Sequence, residues 1–329
     1  MNVKDGALAR VGIIGCSSIA RRRFLPALIG SDRVALKMIG SRERAKAKEM
    51  AESFYCAGYG SYDEVINSDD VDLVYISTPP TERRGLLEAA IRAGKHVLCE
   101  KPILPNSRET RDVLDMAANF GVRVFENYAY LSHPQHAMVK DLLCQNLIGP
   151  IRDIFVAYTY PLPSANDIRL KPELGGGVVN DSLGYPISLL NHLQGGRFHL
   201  IESSIVRSER LGVDVNCSFR GVVGSHVNFT AHVGMDEEYR SAYVITGDSG
   251  EIEVSRAFSV DESHHATVIL RTTQGREVLT VMPANQFRIH LEECVFALSC
   301  KDNVAEETIM AVRTSMDEVI RSARITLKT

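Results

Sequence analysis

Residues 9–20 read Ala-Arg-Val-Gly-Ile-Ile-Gly-Cys-Ser-Ser-Ile-Ala, a short apolar run that stops at Gly15 and turns directly into helix-compatible sequence. A continuous apolar run of this length has the character of a strand buried on both faces. The residues after it, Gly15, Cys16, Ser17, Ser18, Ile19 and Ala20, form a degenerate G-x-G-x-x-G in which Ser17 replaces the second glycine and Ala20 the third. Ser17 adds a Cβ where backbone would approach a pyrophosphate, but its hydroxyl can bond a phosphate oxygen. Ala20 is small enough for close packing of helix on strand. Placement between a strand and a helix N-terminus, whose exposed N–H groups favour an anion, makes Gly15, Cys16, Ser17, Ser18 and Ile19 the candidate dinucleotide contacts. A purely structural turn is the plainer alternative.

Outward from this turn, runs rich in β-branched residues alternate with amphipathic stretches as far as residue 128. Strands are predicted over 9–15, 34–40, 72–78, 96–100 and 122–126, with helices starting near Ser18, Arg42, Ser61, Thr81 and Ser107. This alternation predicts an α/β fold, a parallel sheet covered by helices, and hence a Rossmann domain over 1–128. The pattern then changes. A helix at 133–147 leads to a strand at 151–160, an irregular segment ending in Gly175-Gly176-Gly177, and one helix over about 179–193. Residues 198–281 read as successive strands separated by turn signals, and two helices, about 285–300 and 304–324, follow. The prediction is a second, α+β domain over 129–329 with a large, mainly antiparallel sheet.

The bulk properties exclude several classes. With 329 residues, 45% apolar, 24% charged and a net charge of -4, the chain has no basic excess to attract nucleic acid or acidic lipid. No apolar window is long enough to span a bilayer, and the stretch 1–10 lacks the apolar core of a signal peptide, so a cytoplasmic protein is expected. Seven cysteines, with no C-x-x-C pair, predict free thiols rather than disulfides or a zinc cage. His264-His265 has no further ligand at useful spacing, so no metal is expected.

The end of the second strand bears on the cofactor. NAD-specific sites usually place a carboxylate there for the ribose 2′-hydroxyl. This chain instead has Ser41-Arg42, followed by Lys46, a hydroxyl and a guanidinium suited to a 2′-phosphate, so NADPH/NADP+ is expected. Arg21-Arg22-Arg23 reads mainly as a solvated helix face.

The fourth strand runs into Cys99-Glu100-Lys101-Pro102, and with this motif the chain resembles the Gfo/Idh/MocA family of oxidoreductases. The resemblance extends through Thr78-Pro79 after the third strand, the stretch 126–136 and the segment 172–186. It implies that Lys101 lies beside the nicotinamide, that Thr78, Pro79, Glu100 and Lys101 contribute to cofactor binding, and that Asn127 and Tyr128 border the substrate. Many relatives have His four residues after an Asp; here Tyr185 follows Asp181 by four, and both are substrate-binding candidates by the resemblance. That resembles the NDP-sugar 3-ketoreductase and glucose-fructose oxidoreductase branches, in which the phenol is the proton donor or acceptor. Arg169, in a segment similar to the 3-ketoreductases, is a substrate candidate or a loop arginine in water. Two departures stand out: Leu183-Gly184 displaces a glycine near Asp181, and Arg83 occupies a position commonly His.

The resemblance therefore implies NADPH-dependent reduction of a sugar ketone, on a small-molecule sugar or nucleotide-sugar and foremost a nucleotide-linked 3-keto-deoxysugar, with Tyr185 as proton donor and Lys101 orienting the carbonyl. A dehydrogenase of a free sugar, polyol or dihydrodiol is the alternative, and a non-catalytic NADP-binding regulator a further one. It also implies a homodimer or homotetramer built through the C-terminal sheet, with one sheet face left to be covered.

Overall fold

The computed structural model describes residues 8–195, 198–300 and 302–329. Residues 1–7, part of the stretch on which the expectation of a chain without a leader rests, lie outside the described residues. The chain divides into two compact units, Met1–Ala129 with Phe287–Met310, and Tyr130–Gln286 with Ala311–Thr329.

In the first unit, six parallel strands, β1 (Ala9–Ile14), β2 (Val34–Gly40), β3 (Gly58–Gly60), β4 (Leu73–Ile76), β5 (His96–Glu100) and β6 (Val124–Asn127), are ordered β3-β2-β1-β4-β5-β6. Helices α1 (Leu25–Ile29), α2 (Arg44–Ser53), α3 (Tyr62–Ile66), α4 (Arg83–Arg92) and α5 (Ser107–Phe120) connect them. All residues of β4 and β5 are buried, which explains why these strands read as unbroken apolar runs rather than alternating ones. The short Gly-Tyr-Gly strand β3 carries no strand signal in its sequence, because glycine lacks the side-chain packing that marks one.

Local chemistry sets the helix starts. Ser61 forms a capping box with Glu64, and Asn106 rather than Ser107 caps α5. The helix expected from Ser18 opens as a π-helical turn, Ala20–Phe24, in which the Leu25 N–H reaches back to the Ala20 carbonyl. Pro26, which has no N–H and crowds the carbonyl four residues back, accounts for the widened turn ahead of α1.

The second unit begins with α6 (Pro134–Cys144) and β7 (Ile151–Tyr160), followed by α7 (Val178–Ser182) and α8 (Gly184–Gln194). The single helix expected over 179–193 is thus two. Pro186 cannot donate to the Ser182 carbonyl, and the ladder breaks at Leu183. Strands β8 (Phe198–Ser208), β9 (Asp214–Val223), β10 (Val227–Met235), β11 (Arg240–Gly247), β12 (Gly250–Val254), β13 (Ala266–Thr272) and β14 (Gly275–Val281) follow. After α9 (Gln286–Ala297) and α10 (Val304–Ser322), the chain ends in β15 (Arg324–Lys328). These strands and β7 form a nine-stranded sheet, β14-β13-β12-β11-β7-β10-β9-β8-β15, antiparallel except where β7 meets β10 and β8 meets β15. Strand β15, exposed along its whole length, was not anticipated, since neither face carries a buried pattern.

The compact units depart from the sequence division at 128/129 in two respects: Ala129 and Phe287–Met310 both fall with the first unit. Leu291, Cys294 and Leu298 pack with Phe24, Leu28, Leu98 and Phe125. Arg123 donates to Glu306 at 2.7 and 3.0 Å and to the Ala297 and Cys300 carbonyls. An amphipathic helix read alone does not reveal which core its apolar stripe meets.

The second unit buries a cluster of neutral histidines. His136 is fully enclosed, with Nδ1 3.1 Å from the Tyr243 hydroxyl and Nε2 3.1 Å from the Ala257 carbonyl. Burial pushes its pKa down to about 3, and those of His133 and His192 to about 4. An unfolded histidine takes up a proton near pH 6.5, so below that pH the unfolded chain binds more protons than the folded one and stability falls until the folded values are reached. The melting temperature is therefore expected to be flat above pH 7 and to decline from 6.5 towards 4, each histidine adding a slope of up to about 1.4 kcal/mol per pH unit. Thermal melts of His136→Gln should show a shallower decline.

Candidate active site

The strand register brings the candidate residues of the first unit to one edge. Ile14 pairs with Ile76, Ile76 with Cys99, and Glu100 with Asn127, so β1, β4, β5 and β6 end together. Gly15, Ser77, Lys101 and Tyr128 directly follow these strands. Strand order reverses between β1 and β4, the position in such sheets where a crevice for ligands opens.

Gly15 has φ +100°, and a Cβ on it would sit 3.2 Å from Ser77 Oγ and 3.3 Å from the Thr78 nitrogen. The turn is locked by side chains. Ser17 Oγ accepts from the Ala20 N–H at 3.1 Å and donates to Ser77 Oγ at 2.8 Å, while Ser77 Oγ donates to the Gly15 carbonyl. The Ser17 proton proposed for a phosphate is thus engaged within the protein. Ser18 is exposed, Cys16 and Ile19 half-buried, and Cys16 Sγ donates to the Lys46 carbonyl. Burial pushes the Cys16 thiol up, so it is no thiolate nucleophile.

At the tip of β2, Ser41 is buried and its Oγ accepts from the Glu43 N–H. Arg42 is exposed and bonds Glu82 at 2.8 Å, which uses one of five guanidinium donors. Lys46 Nζ is paired with Glu43 at 2.5 Å. Of these, Ser41 and Arg42 stand at the strand tip, while Lys46 lies on α2.

After β4, Thr78 is buried with its Oγ1 lacking any partner among the described residues. A buried hydroxyl without a partner is costly, and a cofactor would satisfy it. The orphaned Thr78 hydroxyl and the cradle at Gly15, which a Cβ would crowd, both fit a dinucleotide. Pro79 is half-buried beside it.

Around β5, Glu100 Oε1 accepts from the Tyr75 hydroxyl at 2.7 Å and from Asn127 Nδ2 at 2.5 Å. Tyr75 stacks on Phe24, with ring centroids 3.5 Å apart. Burial and the Glu100 charge hold the Tyr75 phenol well above its usual pKa, so it stays a donor. Glu100 is therefore a buried bracket, and Asn127 braces it. Lys101 is half-buried, and its peptide bond to Pro102 is cis. The Glu126 carboxylate accepts from the Ile103 N–H at 2.7 Å, and Tyr128 is buried. Sequence reasoning missed the work of Tyr75 and Glu126, and left Arg83 without a role. Arg83 is buried, donates through Nε to the Thr78 carbonyl at 2.9 Å and through Nη1 to the carbonyls of Glu100 and Pro102.

In the second unit, Asp181 and Arg169 meet. Asp181 Oδ2 accepts from Arg169 Nε at 2.9 Å, the Tyr160 hydroxyl at 2.8 Å and Ser182 Oγ at 3.2 Å. Arg169 is therefore no free loop arginine. Asp181 raises its pKa further, while burial and the same carboxylate raise that of Tyr160. Gly177, at φ +102°, has no room for a Cβ, which would strike the Asp214 carboxylate. That carboxylate accepts from the Val179 N–H at 2.6 Å and holds the start of α7. The glycines serve this packed turn. Half-buried Tyr185 lies among Tyr158, Tyr130 and Phe258, with ring centroids 4.8, 5.3 and 5.3 Å away, and its carbonyl accepts from the Tyr130 hydroxyl at 2.9 Å.

Among the described residues no helix is long and apolar enough to cross a membrane, and no group of three or more His, Cys, Asp or Glu could hold a metal.

Comparison with known proteins gives the class. Residues 9–128 match the Gfo/Idh/MocA model described as an oxidoreductase family with an NAD-binding Rossmann fold, and residues 136–253 match that family's C-terminal domain. The chain belongs to the Gfo/Idh/MocA oxidoreductase family. It is 34% identical over 278 residues to a dTDP-3,4-didehydro-2,6-dideoxy-alpha-D-glucose 3-reductase of Streptomyces violaceoruber, covering 84% of this chain and 81% of that one. It is 30% identical to a D-xylose 1-dehydrogenase (NADP(+)) of Haloferax volcanii, over 95% of this chain and 96% of the other. The structure is similar to that of a 3-ketoreductase from Actinomadura kijaniata in complex with NADP and TDP-benzene, with TM-score 0.94, 28% identity and coverage of 98% and 100%.

Gly15→Ala is expected to weaken dinucleotide binding about tenfold, since relief of the strain at this φ and of the contacts with Ser77 and Thr78 would shift the turn from the shape that takes the phosphates. Fluorescence titration with NADPH checks it.

Proposed function

We propose that this enzyme reduces the ketone of a nucleotide-linked 3-keto-deoxysugar with NADPH. The observation that carries the reading is the likeness, over nearly the whole chain, to a 3-ketoreductase crystallised with NADP and TDP-benzene. Gly15, Thr78 and the residues around Ser41 and Arg42 would hold the cofactor, which when bound supplies a hydride equivalent. Tyr185 gives its phenolic proton to the ketone oxygen as that oxygen becomes a hydroxyl, and solvent restores the phenol. The Lys101 ammonium hydrogen-bonds the same oxygen, orienting the carbonyl and stabilising negative charge as it develops. Arg169, locked to Asp181, keeps donors for a substrate oxygen, and Asn127 and Tyr128 border the substrate.

The likeness to an NADP-dependent D-xylose dehydrogenase supports a second reading, oxidation of a free sugar by the same groups in reverse. We assign the enzyme to the cytoplasm on this reading. The second copy in a homodimer or homotetramer would cover the sheet face that presents Asn216, Ser218, Arg220, Asn228, Thr230 and His232, opposite the buried Val215, Cys217, Phe219, Phe229 and Ala231.

With dTDP-3,4-didehydro-2,6-dideoxy-D-glucose, NADPH oxidation is expected, and Lys101→Ala and Tyr185→Phe should each lower kcat by about 100-fold or more while NADPH still binds. Turnover of D-xylose with NADP+ alone would select the second reading, and full activity in both variants would remove these residues from the chemistry. In the same titrations NADPH should bind more tightly than NADH, and Arg42→Ala should narrow the difference. Light scattering should give a mass of two or four chains, and a monomer would exclude the assembly.

A further inference from the structure

Arg83 occupies a place where stability alone does not favour arginine. It is only 4% exposed, and taking a guanidinium out of water is costly unless its donors are met. It is also the first residue of α4, where the helix dipole disfavours a cation. What it gains there is three carbonyl oxygens. Nε takes that of Thr78, and Nη1 takes those of Glu100 and Pro102, the residues immediately before and after Lys101. The fork therefore brackets the Lys101 backbone on both sides and ties it to the loop that follows β4. A lysine, with its compact point charge, has no fork to reproduce this spread of acceptors.

We infer that Arg83 is the positioning residue for Lys101: the guanidinium fixes the Glu100-Lys101-Pro102 turn and so sets where the ammonium is presented. Tyr75 and Asn127 on the Glu100 carboxylate, and the Ile103 N–H on Glu126, hold the flanks of the turn. Arg83 alone among these bonds the main chain on both sides of Lys101. The inference rests on the reading of Lys101 as the group that orients the carbonyl.

A double-mutant cycle tests it, with Arg83→Lys, Lys101→Ala and the double variant, each assayed for kcat, NADPH affinity and melting temperature. Arg83→Lys keeps the buried charge and so protects folding. It is expected to lower kcat about 10- to 100-fold, the cost of a misplacement of roughly 1 Å, with NADPH affinity within about threefold of the parent. In the Lys101→Ala background the same change should cost less than threefold. Equal losses in both backgrounds, or no loss in the parent, would overturn the inference and leave Lys101 untouched. Full turnover in Lys101→Ala, or an inactive parent with both the keto sugar and D-xylose, would instead overturn the reading beneath it. Arg83→Gln, which keeps donors but loses the charge, should lie between the parent and Lys101→Ala; turnover equal to the parent would also count against the inference.

Discussion

The parallel pairing of β1 with β4, β4 with β5 and β5 with β6 is the constraint on which the first unit depends. Each buried strand must pair its backbone groups with its neighbours, and side chains on both faces are enclosed, so no register slip is available that keeps both conditions. The consequence is chemical as much as structural. Strands that end level deliver Gly15, Ser77, Lys101 and Tyr128 to one edge, although they come from segments far apart in the chain. Helices on either face then supply the connections, and their termini are set by single residues such as Ser61, Asn106 and Pro26.

At that edge, buried polar groups are matched almost one to one. Glu100 takes Tyr75 and Asn127, Glu126 takes the Ile103 N–H, Ser77 links Ser17 to the Gly15 carbonyl, and Arg83 satisfies three carbonyls. A buried polar atom left without a bond costs about 1–3 kcal/mol, so a network this closely matched gives the turn few other arrangements. Among the described residues of this edge Thr78 Oγ1 lacks a partner. An unmatched hydroxyl within an otherwise matched network is what a site prepared for a polar ligand presents.

How much of this the sequence disclosed depended on whether the signal was local. Strands β2, β5 and β7 were read at the bounds the structure gives, because an apolar run between turn residues is a short-range property. The Gly15 turn was legible for the same reason, whereas Lys101 was singled out only by the resemblance of Cys99-Glu100-Lys101-Pro102 to a family motif. Arg83 was noticed only as a departure, since its partners lie 5, 17 and 19 residues away and nothing nearby announces them. Nor did local reading disclose that Phe287–Met310 belongs with the first unit, or that β15 pairs with β8. The displaced glycine at Gly184 was visible, but the break at Leu183 came from Pro186, a breaker that was available in the sequence and was not weighed.

The second unit holds Asp181 and Tyr185 by different physics. Asp181 is fixed by charge, with a guanidinium, a phenol and a serine hydroxyl on one carboxylate oxygen, so it is spent on structure and orients Arg169. Tyr185 is fixed by shape. Three aromatic rings pack against its own, and its carbonyl accepts from the Tyr130 hydroxyl, so backbone and ring are both restrained. That separation suits a proton donor. A phenol held by a carboxylate, as Tyr160 is by Asp181, has its acidity suppressed and its proton committed. Rings packed edge to face constrain the plane of the Tyr185 ring by shape. In the first unit the holding falls to Arg83, whose guanidinium bonds the carbonyls on either side of Lys101 and ties that turn to Thr78.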